Sequence, residues 1–185
     1  MPQNTPRGYT YPLYGDAANF PAQIQDFATD VDTDVAALVA SATTALNAPS
    51  CRVSASANQA IAANTATIVT WAVEEYDNAA MGNLGVNNDR ISVTVSGIYL
   101  VTADINFASN GNATVGGRLI ELVTIGGVTI AQNTIPASQN IAAENNITWM
   151  QDFAAPTSLR VRVTQNSGAA LNIDARSFSM TRVTS

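Results

Sequence analysis

The sequence predicts a mainly β fold, a sandwich or jelly roll of about eight to ten antiparallel strands that follows an N-terminal α-helix. Residues 50–185 contain many short apolar or alternating segments, separated by turn residues and without a helical pattern between them. Residues 22–47 contain neither Gly nor Pro, and their apolar residues recur at helical spacing. The chain has 185 residues, of which 46% are hydrophobic, so it is long enough for one packed domain with an appendage.

The first part of the chain, residues 1–15, is a predicted extended arm. It is rich in proline, which fixes φ and lacks an N–H, and so discourages regular helix. Tyrosine offers a large contact area with a polar tip, so the arm is a candidate docking segment. The candidate docking residues are Tyr9, Tyr11 and Tyr14. A loose tail that carries aromatic residues by chance is the alternative.

Residues 16–49 form a predicted helical stem. Asp16 is suited to cap its start. Pro21 suits a first helical turn, in which case the cap moves to Phe20. The sequence Asn47-Ala48-Pro49 is a good helix breaker and ends the stem.

The stem carries an apolar stripe whose members follow steps of 3, 4, 4, 3, 4 and 4 residues. They are Ile24, Phe27, Val31, Val35, Leu38, Ala42 and Leu46. This eleven-residue repeat stays in phase with a straight or slightly right-handed helical bundle. An isolated helix of this size is marginal in water, so it must bury the stripe. We expect parallel self-association because the helix is terminal and a proline-marked joint follows it; the alternative is a helix that lies on its own β domain.

Residues 50–185 are a predicted β head domain. Residues 90–96 alternate between polar and apolar side chains, and residues 98–107 follow after Gly97 as the second half of a hairpin-like pair. Gly126 and Gly127 predict a tight hairpin turn. The other predicted strands are 52–55, 66–73, 119–125, 128–130, 147–153, 159–164 and 171–183. The Asn- and Gly-rich loops around 78–89, 109–117 and 137–146 are expected to form one exposed rim, where binding usually occurs.

The last predicted strand changes its side-chain phase. Leu171, Ile173 and Ala175 follow one alternation, whereas Phe178 and Met180 follow the other. Such a change requires a β-bulge or a strand that is buried on both faces, and the second possibility fits an oligomer interface. The candidates for head core or trimer contacts are Tyr99, Phe107, Phe178 and Met180.

Charge and composition exclude several classes of partner. All eight basic residues are Arg and are scattered along the chain, and the net charge is −6. Nucleic-acid binding needs clustered cations, and attraction to anionic membranes needs the opposite sign, so we expect neither. No window approaches the ~20 apolar residues that span a bilayer, so we expect no membrane insertion. The N-terminus lacks an apolar signal-peptide core, so we expect the protein to be made in a cytoplasm and to stay soluble until it is assembled or released.

The residue types that common catalytic and metal sites need are missing. The chain has no His and no Lys, and Cys51 is its single cysteine, which removes the usual triads, Schiff-base lysines and zinc sites. Glu74, Glu75 and Asp77 are the densest acidic group of the head. In a regular strand Glu75 and Asp77 would share one face, and we expect these side chains to be exposed to solvent or paired with Arg. The run 30–34 imitates an EF-hand start without its Gly and Glu. We therefore predict no enzyme, no catalytic residue, no cofactor and no metal site.

Several short motifs of the head fall in the order of a known superfamily. They are Trp71-Ala72-Val73-Glu74-Glu75-Tyr76-Asp77, Gly97-Ile98-Tyr99-Leu100-Val101 leading to Phe107, Gly126-Gly127 and Ser177-Phe178-Ser179. Over about 135 residues, the head resembles the jelly-roll superfamily of complement globular heads and tumour necrosis factor. The calcium-binding carboxylates of some complement-type heads have no counterpart here, so the resemblance implies no metal site.

The N-terminal segment is similar to the opening of many phage tail and virion proteins. The residues that carry this likeness are Thr5-Pro6, Tyr11-Pro12-Leu13, Asp16 and the run 21–25, which leads into Ala28 and Val31-Asp32. The two resemblances together imply a homotrimer in the virion, docked on other virion proteins through its arm, with host-surface glycan as a candidate ligand. A tail or baseplate fibre tip is the first expectation, and a head fibre or capsid decoration protein is the second. A soluble carbohydrate- or protein-binding jelly-roll module outside a virion is the alternative of another class.

Overall fold

The computed structural model describes residues 3–4, 10–11, 20–109, 116–136 and 140–184. The chain divides into two compact units, Met1–Asn47 and Ala48–Ser185, which we call the stem unit and the head.

The described residues of the stem unit form two short strands and one long helix. Strands β1 (Gln3–Asn4) and β2 (Thr10–Tyr11) pair antiparallel. Helix α1 spans Phe20–Leu46, and its 27 residues include Pro21 in the first turn. Of the two predicted starts, near Asp16 and near Phe20, the structure has the second. The missing N–H of Pro21 costs no intrahelical hydrogen bond there, because N–H groups of the first turn have no partner within the helix.

The described residues of the head form eleven strands. They are β3 (Ser50–Ala55), β4 (Gln59–Ile61), β5 (Thr67–Ile68), β6 (Val73–Asp77), β7 (Ile91–Ser92), β8 (Gly97–Phe107), β9 (Gly117–Thr124), β10 (Thr129–Pro136), β11 (Ala143–Phe153), β12 (Ser158–Gln165) and β13 (Leu171–Thr184). This number exceeds the predicted eight to ten because β4 was not expected and because the predicted strand 66–73 is divided between β5 and β6.

Two antiparallel sheets form the head, as a β-sandwich requires. The six-stranded sheet has the order β11-β8-β13-β3-β6, with β4 beside β13. The five-stranded sheet has the order β10-β9-β12-β5, with β7 beside β12. A single cluster of buried apolar side chains from both sheets fills the space between them, so the predicted mainly β sandwich is confirmed.

Alternation along the strands explains why the core lies where it does. Every second side chain of β8 and of β12 is buried, because successive side chains of a strand point to opposite faces. The aromatic rings of Trp71 and Phe178 stack in the core with their centroids 5.7 Å apart. Both residues belong to motifs that carry the family resemblance, and both are almost fully buried.

The predicted strand at residues 90–96 is wrong in length and partner. Only Ile91 and Ser92 are in a strand, and they pair with β12 rather than forming a hairpin with β8. Beyond Ser92 the pairing continues by one backbone hydrogen bond, from Val93 N to Thr157 O at 2.7 Å, next to the start of β12 at Ser158. The alternation that suggested a longer strand reflects burial, since Ile91 and Val93 both reach the core.

The predicted strand at residues 66–73 is in fact a crossing between the two sheets. Its first part, β5, pairs with β12 in the five-stranded sheet, and β6 pairs with β3 in the six-stranded sheet. The side chain of Gln59 holds the crossing: its Oε1 accepts from Thr70 N at 3.0 Å, and its Nε2 donates to Ile68 O at 2.8 Å. Arg176 Nε adds a hydrogen bond to Thr70 O at 3.0 Å.

The glycine hairpin and the phase change of the last strand are both present. Gly127 has φ +83°, which glycine adopts without strain, and it turns β9 into β10. In β13 the pairing register with β8 shifts between Ile173 and Arg176. This bulge accounts for the change of phase, and Phe178 and Met180 are buried on the core side.

The substitution Phe178→Ala tests the core. Phe178 is fully buried against Trp71, so we expect a loss of about 3–5 kcal/mol in the free energy of unfolding. Urea denaturation of the full chain, followed by intrinsic fluorescence, measures it. The matched control is Val86→Ala, because Val86 is 78% exposed and should change stability by less than about 0.5 kcal/mol. Equal effects of the two substitutions would contradict this description of the core.

Candidate self-association surfaces

The apolar stripe of α1 is largely exposed in the single chain. Ile24 is 49% exposed, Phe27 43%, Val35 51% and Leu38 64%. Val31 is half-buried and Ala42 is exposed, whereas nothing is described of the side chain of Leu46. Val39, which the pattern did not mark, is 60% exposed and widens the stripe. A stripe of this kind exposes apolar area whose removal from water is favourable, so it is the main candidate contact surface.

The outer face of the six-stranded sheet is the second candidate surface. Here "outer" means the side turned away from the core. At its centre are small hydroxyl side chains, with Thr102 and Ser179 hydrogen-bonded at 2.6 Å. At the end where β8 begins, Met150 of β11 lies directly opposite Leu100 of β8, and Met150 is 60% exposed. The face thus combines small side chains with one apolar corner, which suits close packing against another protein surface.

A groove of about 630 Å³ lies between β10 and β11, which are the outermost strands of their sheets on one side of the sandwich. Its lining includes Trp149, which is 41% exposed and donates from Nε1 to Gln151 Oε1 at 3.0 Å. Asn133 Nδ2 donates to Asn145 Oδ1 at 2.9 Å and ties the two strands together. The groove contains no charged side chain among the described residues that line it.

The three head loops predicted to form one exposed rim lie at two different ends. Asn78 N donates to Ser50 O at 3.1 Å, so loop 78–89 starts at the end where β3 begins. Ala143 pairs with Phe107, so the described parts of loops 109–117 and 137–146 adjoin the other end of β8. The single rim expected from the sequence is therefore wrong, because sequence composition does not show at which end of the sandwich a loop lies.

The four aromatic and sulfur residues predicted as core or trimer contacts of the head lie in the core of the single chain. Tyr99, Phe107, Phe178 and Met180 are all fully buried. Tyr99 OH donates to Val95 O at 2.7 Å, and burial raises the pKa of its phenol. These four side chains belong to the core of the head and have no exposed surface with which to contact a second copy. In the arm, Tyr11 belongs to β2, and Tyr9 and Tyr14 lie outside the described residues.

The acidic group of β6 is divided by a bulge. The pairing register between β3 and β6 shifts, so that Glu74 lies opposite Val53, Asp77 lies opposite Cys51, and Glu75 is the extra residue. The predicted placement of Glu75 and Asp77 on one face is therefore wrong, because a one-residue insertion reverses the alternation.

Each of two acidic side chains of β6 already has a structural partner. Glu75 Oε2 forms an ion pair with Arg52 Nε at 2.9 Å, and both side chains are exposed to solvent. The carboxylate of Asp77 accepts hydrogen bonds from Gly82 N at 2.7 Å and from Ala79 N at 3.1 Å, which shapes loop 78–89. Glu75 thus ties β6 to β3, and Asp77 shapes the loop that follows β6.

The five-stranded sheet carries a bidentate ion pair. Arg162 donates from Nε and Nη2 to the two carboxylate oxygens of Glu121, each at 2.7 Å, and Thr129 Oγ1 donates to Glu121 at 3.1 Å. The hydrogen bonds from Arg162 hold the pKa of Glu121 below its ordinary value. Asp89 similarly joins Arg90 and Arg160 at 2.7 and 2.6 Å. The first pair links the neighbouring strands β9 and β12, and Asp89 ties loop 78–89 to Arg160 of β12.

Cys51 is buried and unsuited to nucleophilic chemistry. Burial, then the charge of Asp77, then that of Glu74 raise the pKa of its thiol to about 12. A nucleophile must be a thiolate, and thiolate is scarce at neutral pH when the pKa is raised. Among the residues that the structure describes, no group of three or more His, Cys, Asp or Glu side chains is placed to hold a metal ion. No helix in the described ranges is long and apolar enough to span a membrane.

Comparison with known proteins shows the fold of the head and leaves the sequence family open. No protein-family model matches the chain, and no curated protein matches it. Among solved structures it is similar to the globular domain of the zebrafish complement 1qA protein, with a TM-score of 0.54 and 8% identity over 74% of this chain and 98% of that chain. It is also similar to murine APRIL, with a TM-score of 0.55 and 11% identity over 74% of this chain and 99% of that chain.

These two structures show the class of fold to which the head belongs, an antiparallel jelly-roll sandwich. More particularly, each of them is matched over almost its whole length, so the likeness covers a complete domain. The fold expected from the sequence motifs is confirmed by these likenesses, and at such low identity they show fold alone.

The reactivity of Cys51 tests the geometry of its surroundings. Because its pKa is raised to about 12, we expect no reaction with an aromatic disulfide reagent at pH 8 in the native chain and full reaction in denaturant. Absorbance of the released thiolate measures this, and Ser41→Cys, on an exposed helix residue, is the reactive control. A thiol that is protonated in the native state stabilises it below pH 9, and this contribution is lost as the pH rises from about 9 towards 12. Rapid native labelling of Cys51 would contradict the structure.

Proposed function

We propose that the chain is a non-enzymatic structural protein that works as a homotrimer on a bacteriophage particle. The arm docks on other virion proteins, α1 joins three copies in parallel, and the jelly-roll head projects outward. The exposed apolar stripe of α1 is the observation that carries the proposal, because a helix with this much exposed apolar area is stable only against a partner. Its regular spacing suits copies of itself in parallel and in register.

The head supports self-association independently of the stem. Trp149 and Met150 are neighbours on the edge strand β11 and are both largely exposed. Trp and Met are enriched at protein interfaces relative to the rest of the surface. The chain also has only 12% charged residues, which agrees with a surface that is partly covered by protein.

The thiol and two acidic side chains of the head are engaged within the fold, which supports a structural role. The chain has no His and no Lys; Cys51 is buried, Glu75 is paired with Arg52, and Asp77 organises a loop.

The virion part of the proposal depends on the sequence likeness of residues 5–32 to the opening of phage tail and virion proteins. A fibre tip on the tail or baseplate is the first location, and a head fibre or capsid decoration is the alternative.

A jelly-roll module that acts outside a virion, binding carbohydrate or protein, is the second candidate. The uncharged groove beside Trp149 favours it, because an exposed indole with amide and hydroxyl neighbours suits a neutral ligand such as a host-surface glycan. In the proposal of a phage appendage, a host-surface glycan of this kind is the receptor that the appendage contacts.

The mass of the full chain in solution tests the trimer. Sedimentation equilibrium should give three times the chain mass of 19.3 kDa. The substitution Leu38→Asp places a carboxylate in the stripe and should reduce the association constant at least about tenfold, since burying an unpaired charge is costly. The matched control Ala37→Asp adds the same charge outside the stripe and should leave the mass unchanged. A wild-type chain that sediments as a monomer at micromolar concentration would overturn the proposal.

Electron microscopy of particles tests the virion assignment. Gold-labelled antibody against the head should decorate the phage made in cells that produce this chain, at the tail, the baseplate or the capsid. Decoration of the capsid alone would select the head-fibre alternative. Particles without label, together with free chain in the supernatant, would favour the module that acts outside a virion.

A further inference from the structure

Arg118 of β9 is a buried guanidinium for which the described residues provide no countercharge. The residue is 2% exposed, and its Nε is buried without a hydrogen-bond partner. The one hydrogen bond from its guanidinium to a described residue runs from Nη1 to the carbonyl oxygen of Gly117, at the long distance of 3.4 Å. Burial lowers the pKa of Arg118, and no carboxylate within the described ranges acts against that shift. The cation is therefore desolvated and almost unpartnered.

Arg176 shows how the same head accommodates another buried guanidinium. It is 8% exposed, but its Nε donates to Thr70 O at 3.0 Å, and its Nη1 donates to Ala57 O at 2.7 Å and to Asp174 O at 2.8 Å. Burial lowers the pKa of Arg176, and the charge of Asp174 acts against that shift. Arg176 thus has three good acceptors and a nearby negative charge, and Arg118 has neither.

The polar side chains beside Arg118 are neutral and already engaged. Gln165 lies opposite Arg118 in β12, and its Oε1 accepts from the N and the Oγ of Ser167 at 2.8 and 2.5 Å. Asn145 donates from Nδ2 to the backbone oxygen of Arg118 at 2.8 Å, while its own Oδ1 accepts from Asn133 Nδ2 at 2.9 Å. These oxygens are used within the fold, and none of them carries a charge.

The aromatic neighbour and the nearby sequence do not supply the missing negative charge. The guanidinium carbon lies 6.0 Å from the centre of the Phe107 ring, a cation–π contact that replaces only part of the hydration lost on burial. The segments 110–115 and 137–139, which precede β9 and follow β10 in the chain, contain no Asp or Glu. Arginine cannot lose its proton to escape the cost of burial. A buried polar group without a partner indicates a water or an ion that completes the site.

We propose that the head binds a small monovalent anion, such as chloride, at the guanidinium of Arg118, at the end of the sandwich where β8 ends and β9 begins. One negative charge balances the one charge of Arg118, whereas a divalent anion would leave an excess charge buried among neutral groups. The near-complete burial of Arg118 selects a compact ion. The site lies within a single copy of the head, so it goes beyond the proposed function and does not depend on self-association.

Urea denaturation of the full chain tests the site by changing the anion alone. Sodium chloride replaces sodium gluconate at a constant total concentration of about 0.5 M, so that exposed charges are screened equally throughout. Gluconate is too large to enter a buried site, so the urea midpoint should rise with the chloride concentration. An ion that binds only the native state stabilises it by mass action. The folded-to-unfolded ratio should therefore increase about a hundredfold when chloride reaches about a hundred times its dissociation constant.

Arg118→Met is the test variant, and Arg52→Met is its matched control. Methionine keeps an unbranched, flexible side chain without the charge, and replacing a buried charge with an apolar side chain is often neutral or stabilising. The urea midpoint of Arg118→Met should therefore not respond to chloride. The Arg52 side chain is 45% exposed and pairs with Glu75. Arg52→Met thus removes the same charge from the surface and should keep the wild-type response to chloride.

A crystal of the wild-type chain grown in sodium bromide locates the anion directly, and it decides the matter even if Arg118→Met does not fold. Anomalous scattering should show bromide within hydrogen-bonding distance of the Arg118 guanidinium. Water alone at this position, a wild-type urea midpoint that is equal in chloride and gluconate, or an Arg118→Met midpoint that responds as the wild type does would each overturn the anion site. None of these results bears on the proposed trimer, which the mass of the chain in solution tests.

Discussion

The central strand of the six-stranded sheet, β13, connects most of the head. It pairs with β8 along one side and with β3 and β4 along the other, and four of its side chains, Leu171, Ile173, Phe178 and Met180, reach the core. Its bulge between Ile173 and Arg176 turns the guanidinium of Arg176 towards the crossing between the sheets. There Arg176 donates to the carbonyl oxygens of Thr70, Ala57 and Asp174. The bulge of β13 thus sets the side-chain phase that turns Phe178 towards Trp71. It also positions Arg176 to hold the chain where it passes from one sheet to the other.

The two units of the chain differ in how their apolar area is covered. In the head, both sheets close over a common core, and the large core side chains are fully buried within a single copy. In α1, most of the apolar stripe is exposed, and its regular repeat has no counterpart in the head. A unit that covers its own core needs no partner to fold, whereas a long amphipathic helix does. In the proposed assembly the stem is therefore the element whose stability couples to association, and the head is the element that the assembled stem carries.

The charged groups of the head act mainly as cross-strand ties. Arg162 and Glu121 join β12 to β9, and Arg52 and Glu75 join β3 to β6. Arg118 is buried with its guanidinium 6.0 Å from the centre of the Phe107 ring, and burial lowers its pKa. These contacts use charged groups of the head to hold its strands together. What distinguishes its surface is the uncharged groove at Trp149 and the apolar corner formed by Leu100 and Met150.

The features that the sequence by itself determined are those that depend on neighbours along the chain. The helix boundaries follow from Pro21 and Pro49, the hairpin from two consecutive glycines, and the bulge of β13 from a change of alternation. Only the tertiary structure decided that residues 90–96 form a short strand, that residues 66–73 cross between sheets, and that a bulge separates Glu75 from Asp77. It also decided that Tyr99 and Phe178 face inward while Trp149 remains exposed. The physical reason is that a strand's length, register and exposure depend on which distant strand lies opposite it, and no local pattern contains that information.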